Sequence, residues 1–378
     1  MRIEPPVPKA TLAAIRAALA TAEAQAIDAP MLQPLNLLLD LAGEAMRARL
    51  FVVQAEGGAE ECLRPDFTVA VARRHIERGA AAGRYIYEGP AFRAAPGGDA
   101  PEQFVQLGVE VFTADGAGAV QADAQIAGLA WQASRAGGRS DLTLWLGDVG
   151  LFSALVESLA LSPALAARLK RVAGRPRLLS AELARAGEPA RAAGEGDQLT
   201  GMLAGLDPPQ AAALLEEVWA LAGIDPVGGR GPAEIAARLV RRAEAAKAPA
   251  LTIGQADAIR AFMAISQAPE AALREVRGLA GRHAPALDAA LQAWTVRLDN
   301  LTAIAPAEGM RLAPALGHAF DYYDGLTFEV RSAALGDHRP VASGGRYDGL
   351  LPRLGGTAGA GAVGCVVRPW RAFAGGET

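Results

Sequence analysis

The chain is 378 residues long, 51% hydrophobic and 21% charged, which is ample for a buried core, fits about two domains, and excludes wholesale disorder or a fibrous repeat. With 37 basic and 41 acidic residues the formal charge is −4, so there is no general electrostatic pull on nucleic acid and tRNA binding is not expected. No apolar run reaches the roughly 18 residues of a membrane helix, and Met1-Arg2-Ile3-Glu4-Pro5-Pro6 has no signal-peptide character, which makes a soluble, cytoplasmic protein without membrane contact the expectation.

In chain order, Leu12, Ile15, Leu19 and Ala22 recur at helical spacing and predict a helix over residues 10–26; residues 33–46 repeat the pattern after Pro30 and predict a second. Leu50-Phe51-Val52-Val53 reads as a strand, Gly57-Gly58 as its turn, and Glu61-Cys62-Leu63 as the return strand of a hairpin. Tyr85-Ile86-Tyr87-Glu88 and residues 103–112 are two further strands, joined by a loop rich in Pro and Gly, and Leu142-Thr143-Leu144-Trp145-Leu146 is another. Between about residues 153 and 293 Ala, Leu, Arg and Glu dominate, and Asp207-Pro208-Pro209 and Gly231-Pro232-Ala233-Glu234 mark helix starts. Strand signals return over residues 309–315, 327–331 and 362–367. Sheet elements at both ends of a helical middle predict a discontinuous α+β domain with an insertion, not a doubly wound fold.

Cys62 and Cys365 form no CxxC, and His75, His283, His318 and His338 form neither HxxxH nor HExxH, so buried thiols and no metal site are expected. Gly359-Ala360-Gly361-Ala362-Val363-Gly364 has GxGxxG spacing. Too little chain follows it for the helix and acidic ribose ligand of a dinucleotide fold, so it reads as a turn into a buried strand. GxxxxGK[ST] is absent as well, and no cofactor is expected.

In Phe104-Val105-Gln106-Leu107-Gly108-Val109-Glu110-Val111-Phe112, strand alternation puts Val105, Leu107, Val109 and Val111 on a core face and Gln106, Gly108 and Glu110 on the other. The glycine leaves room for a flat ligand over the backbone, with Gln106 and Glu110 bonding its ends; a solvated strand face fits the spacing equally. In Leu63-Arg64-Pro65-Asp66-Phe67-Thr68, Asp66 or Thr68 either caps the following helix or receives a ligand ammonium. Asp321-Tyr322-Tyr323-Asp324-Gly325 reads as a turn, and Ser343-Gly344-Gly345-Arg346-Tyr347-Asp348-Gly349 as a Gly-rich turn whose Arg346 pairs with a neighbouring carboxylate or with a ligand.

Taken together and in order, these motifs and Gly89-Pro90-Ala91-Phe92-Arg93 resemble the catalytic core of histidyl-tRNA synthetase, over about residues 33–151 and 287–374. The resemblance implies an α+β, class II aminoacyl-tRNA synthetase-like fold, an antiparallel sheet flanked by helices. Its core would be discontinuous at residues 1–165 and 285–378, with a helical insertion at 166–284. In that family the positions matching Asp66, Thr68 and Gln106 receive the amino group of histidine, and those matching Glu110 and Tyr323 its imidazole, while Tyr322 and Tyr323 close the pocket.

The departures weigh as much. The family's Arg-Gly-Leu-Asp-Tyr-Tyr is matched by His318-Ala319-Phe320-Asp321-Tyr322-Tyr323, which exchanges a permanent charge for an imidazole with a reference pKa of about 6.5. The loop after Phe92-Arg93 lacks further arginines, and its Asp99 and Glu102 would repel triphosphate. The last motif becomes Arg368-Pro369-Trp370-Arg371, and too few residues follow for a C-terminal anticodon-binding domain. Arg93, His318 and Arg346 remain as contacts for a ligand carboxylate or phosphate.

This combination is similar to the regulatory subunits of ATP phosphoribosyltransferase. That resemblance implies no catalytic residues, a hetero-oligomer with a short catalytic subunit acting at the first step of histidine biosynthesis, a homodimer through the class II core, and L-histidine as effector. The acidic pair and Thr-Gly of a phosphoribosyltransferase are missing from the sequence, which leaves that chemistry to the partner. The competing reading is a truncated synthetase-like enzyme that activates an amino acid with ATP.

Overall fold

The computed structural model describes residues 1–54, 57–116, 118–173, 176–187, 206, 208–222, 250–280, 284–317 and 322–376. The chain divides into two compact units, one of Met1–Leu155, Phe262–Leu279 and Ala284–Thr378, the other of Val156–Ala261 and Ala280–His283.

The first unit is built on strands β1 (Gln25–Ala26), β2 (Leu32–Pro34), β3 (Val52–Gln54), β4 (Glu60–Leu63), β5 (Gly83–Phe92), β6 (Gln103–Thr113), β7 (Leu142–Asp148), β8 (Met310–Leu312), β9 (Leu326–Ser332), β10 (Ala342–Arg346) and β11 (Gly361–Val367). Its sheet has the order β1-β5-β6-β11-β10-β9-β7-β8, and β2-β4-β3 form a separate small sheet. The six central strands pair antiparallel, whereas β1 joins β5 and β8 joins β7 in parallel, so the sheet is mixed at its edges.

The helices in chain order begin with α1 (Lys9–Ala20), α2 (Leu35–Ala42), α3 (Thr68–Glu77), α4 (Ala119–Ala136) and α5 (Val149–Ser158). In the second unit α6 (Pro163–Val172) starts where the Ser162 hydroxyl accepts from the Leu165 N–H at 3.3 Å, with Pro163 in the first turn. It is tied to α7 (Pro176–Ala184) by Arg168–Glu182 at 2.9 Å, and α8 (Pro208–Ala222) follows; α9 (Ile253–Ala264) begins in this unit and ends in the first. The chain continues through α10 (Pro269–Gly278), α11 (Pro285–Thr302), α12 (Leu350–Arg353) and α13 (Pro369–Ala372). No helix among the described residues is long and apolar enough to cross a membrane.

Three expectations are corrected. The first helix stops at Ala20, six residues early: Glu23 adopts φ 51°, and Gln25 and Ala26 pair with Tyr85 and Ile86 of β5. The second helix starts only after Pro34, because Leu32–Pro34 belongs to β2, and it ends at Gly43 with φ 83°. The third is the Gly-rich turn at Ser343, which is the central strand β10: a Cβ at Gly344 would overlap the Gly364 carbonyl, and one at Gly345 the Leu326 carbonyl. The proposed start at Gly231-Pro232 lies outside the described residues.

Register places Glu110 opposite Gly364, Gly364 opposite Gly345, and Gly108 opposite Tyr87. All of these side chains and glycines therefore look out from one face of the sheet, over which Phe67 and α3 pack. Phe67 stacks on Tyr87 at 4.4 Å, and His75 of α3 stacks on Phe112 at 4.2 Å. The other face carries α4. There Asp123, fully buried, holds Arg346 of β10 at 2.7 Å and Arg297 of α11 at 2.8 Å, and Asp148 accepts from the Trp294 indole at 2.7 Å.

Candidate functional site

Asp66 stands one residue before Phe67, the N-cap of α3, and the backbone N–H groups of Thr68 and Val69 at the helix start favour its charged form. The helix start carries no side-chain capping hydrogen bond, and Asp66 Oδ2 is buried without a hydrogen-bond partner. Burial pushes the Asp66 carboxyl up, opposed by the nearby Arg93 charge. The approach to α3 is fixed by Arg64, a residue to which sequence reasoning gave no role. It is buried, donates to the carbonyls of Ala29 and Pro90 at 2.6 and 2.9 Å, and lies 3.8 Å over the Phe67 ring.

Thr68 does not cap. Its hydroxyl donates to Glu110 Oε1 at 2.8 Å, and Tyr87 reaches the same oxygen at 3.4 Å, while the Tyr347 hydroxyl donates to Oε2. Glu110 is 1% exposed and no arginine pairs with it among these contacts. Loss of solvation raises its pKa to about 7, against the pull of the Tyr347 and Thr68 hydroxyls. Because the folded-state value lies above the ordinary 4.5, the folded form holds the extra proton between pH 4.5 and 7 and stability falls as pH rises through that window. Glu110→Gln is expected to flatten this slope, measured as the difference in urea midpoint between pH 5 and pH 7 against the unaltered chain.

Gln106, two residues before Gly108 on the same strand face, is buried at 2% exposure with Oε1 unpartnered. The room expected over Gly108 for a flat ligand is taken by the protein itself: a Cβ there would overlap the Tyr87 hydroxyl. Val105, placed by alternation on the core face, is 39% exposed. Tyr322 and Tyr323 lie 4.8 Å apart and meet Tyr347 edge-on at 5.9 and 6.3 Å. Gly345 admits the Tyr323 ring, whose Cδ1 would be 2.8 Å from a Cβ at that position.

The structure therefore brings Asp66, Thr68, Gln106, Glu110, Tyr322 and Tyr323 to one face. Arg93 is at their margin, donating Nε to the Pro65 carbonyl at 2.9 Å. Arg346 is not there. It projects from the opposite face and is committed to Asp123 and to Asp348 at 2.9 Å, so its pairing with neighbouring carboxylates replaces the ligand contact. His318 lies outside the described residues. Tyr87, Tyr347 and Gly364 were missed; an aromatic facing a glycine across a strand pair is a recognisable device, but only once register is known.

The cluster is rich in acceptors: two carboxylates, an amide oxygen, and phenols. An unpaired buried acceptor costs about 1–3 kcal/mol, so the arrangement favours a compact ligand with several N–H donors. The remaining side chains do not offer thiol chemistry, since Cys62 and Cys365 are buried and burial pushes their pKa values to about 11 and about 12.

A family model described as histidyl-tRNA synthetase matches residues 12–217 and 233–369. Proteins from Brucella anthropi and Brucella canis named ATP phosphoribosyltransferase regulatory subunit are 34% identical over 346 and 351 residues, spanning 90% of this chain and 90% of each relative. The chain belongs to the family of ATP phosphoribosyltransferase regulatory subunits. A solved structure described as an ATP phosphoribosyltransferase regulatory subunit/histidyl-tRNA synthetase from Bacillus halodurans superposes with a TM-score of 0.65 at 21% identity, over 98% of this chain and 80% of that one. A histidyl-tRNA synthetase from Nostoc sp. PCC 7120 gives 0.59 at 15% identity, over 98% and 74%. The class II synthetase fold is shared throughout, and the role of this family member is regulatory.

Two residues of the motifs that depart from the synthetase pattern are engaged within the chain. Arg371 donates to the Pro340 carbonyl at 3.0 Å. Glu102, expected to repel triphosphate, is paired with Arg2 at 3.2 Å and with the terminal ammonium at 3.8 Å, which neutralises it.

Proposed function

We propose that the chain binds free L-histidine through Asp66, Thr68, Gln106, Glu110, Tyr322 and Tyr323, and that occupancy sets the activity of a separate, short catalytic subunit that transfers phosphoribosyl to ATP. The observation that carries this reading is the pair of buried, unpartnered acceptors, Asp66 Oδ2 and Gln106 Oε1, beside a fully buried Glu110 held by hydroxyls. An ammonium supplies donors for the first two, and an imidazole N–H suits the third. The Arg93 charge acts on Asp66 and suits the ligand carboxylate. Feedback requires that histidine bind the inhibited assembly more tightly than the active one. Homodimerisation through the class II core and a cytoplasmic location belong to the same reading.

Mixing the chain with the short catalytic subunit is expected to give phosphoribosyl transfer that histidine suppresses, and calorimetry should show histidine binding to this chain alone. Glu110→Ala should weaken that binding about 10- to 100-fold, the worth of a hydrogen bond to a charged group, and leave the mixture active at inhibitory histidine. A variant still fully inhibited at the original histidine concentration would remove Glu110 from the pocket. Robust histidine-dependent ATP–pyrophosphate exchange by the unaltered chain would instead favour an amino-acid-activating enzyme.

A further inference from the structure

The tyrosine turn is fastened to the end of β10 by Asp324, an exposed residue outside the pocket that directly follows Tyr322 and Tyr323. Its carboxylate takes two backbone donors: Oδ1 accepts from the Asp348 N–H at 3.1 Å and Oδ2 from the Gly349 N–H at 2.6 Å. The Asp324 N–H in turn donates to the Arg346 carbonyl at 3.0 Å. Position 349 must be glycine for this approach, since a Cβ there would lie 2.7 Å from Asp324 Oδ2.

The segment that Asp324 grips is itself anchored. Arg346 is held by Asp123 and donates to Asp348 Oδ1 at 2.9 Å, and the same oxygen accepts from the Ala362 N–H at 2.7 Å. Between them, the Tyr347 N–H donates to the Ala362 carbonyl at 2.8 Å, while its hydroxyl reaches Glu110 in the pocket. Tyr347 is thus fixed by its backbone to β11 and by its side chain to Glu110. Asp324 ties the neighbouring turn to this fixed point, and so sets how Tyr322 and Tyr323 meet the Tyr347 ring, edge-on at 5.9 and 6.3 Å.

We propose that Asp324 is a positioning residue of the histidine pocket: without touching the ligand, its two-point grip on the Asp348 and Gly349 N–H groups places the tyrosine turn against Tyr347 before the ligand arrives. This rests on the reading that Tyr322 and Tyr323 close a pocket for histidine. A turn already in place need not be ordered on binding, and that saving appears as affinity. The grip also demands a carboxylate, which accepts from both N–H groups, whereas a carboxamide accepts from one and turns its own N–H toward the other.

The test is calorimetry of the full chain with L-histidine, well below the melting temperature. Asp324→Ala is expected to weaken binding about tenfold and Asp324→Asn about threefold. Gly349→Ala attacks the same contact from the other side: Gly349 has φ −68°, which alanine adopts freely, so the added methyl acts through the Asp324 carboxylate and should also weaken binding about tenfold. The double variant should bind no more weakly than Asp324→Ala, because one grip is lost only once. A merely structural Asp324 would lower the melting temperature and leave the affinity of the folded chain unchanged. Unchanged affinity in Asp324→Ala therefore overturns the proposal and spares the pocket, as do losses that add in the double variant. If Asp324→Ala does not fold, Asp324→Asn and Gly349→Ala carry the test, and unchanged affinity in both overturns the proposal equally. An unaltered chain that does not bind histidine overturns the pocket reading, and the role of Asp324 with it.

Discussion

Gly364→Ala is expected to abolish histidine binding, weakening it more than about 100-fold, and to lower the melting temperature by several degrees. A Cβ at Gly364 would overlap Glu110 Oε2, and the Glu110 carboxylate cannot retreat while the hydroxyls of Thr68, Tyr87 and Tyr347 hold it. Forcing one methyl group into a packed interior typically costs about 1–3 kcal/mol. Here the displaced group is also the one assigned to the ligand ring. Adding Glu110→Ala to Gly364→Ala should recover the melting temperature but not the binding, because the clash vanishes while the acceptor stays lost. A Gly364→Ala protein that binds histidine normally would show that Glu110 swings freely, and the pocket assignment would fall with it.

The largest loss of stability is expected at Asp123, far from any ligand. This carboxylate is 0% exposed and bridges Arg346 and Arg297, so Asp123→Ala leaves two guanidinium groups facing each other in a buried space. Breaking a buried pair by removing one partner costs about 3–5 kcal/mol. Arg346 retains Asp348, and Arg297 retains Asp148 at 3.7 Å, which keeps the loss toward the lower end. Urea unfolding checks the value. Replacing Asp123 and Arg346 together should recover part of the loss, since one orphaned charge goes with its partner. A single-variant loss below about 1 kcal/mol would mean that water reaches the pair.

The strands were legible where apolar alternation was strong, as in β6, β7 and β9, and, among the described residues of the middle, helices lie where Ala, Leu, Arg and Glu dominate. The strand β10 was not, because Gly344 and Gly345 look like turn residues in isolation; their role is to let neighbouring backbones and Tyr323 approach, which only the paired register reveals. Helix ends failed for a similar reason: residues 21–26 carry helical spacing, but β1 pairing with β5 wins. Of the site, Asp66, Thr68, Gln106, Glu110, Tyr322 and Tyr323 could be named from ordered motifs. For Arg346 the choice between a neighbouring carboxylate and a ligand stayed open, because a single sequence does not show which face of a strand an arginine leaves from; it pairs with Asp123 and Asp348.

The glycines at 108, 345 and 364 have a further effect. Each position is filled by a neighbour's side chain, Tyr87, Tyr323 or Glu110, so adding bulk at any of the three glycines displaces one of them. A lineage drifting toward a different effector would have to act at the rim, through the tyrosine turn or the start of α3. Binding preference in such a scaffold should be slow to change but easy to lose.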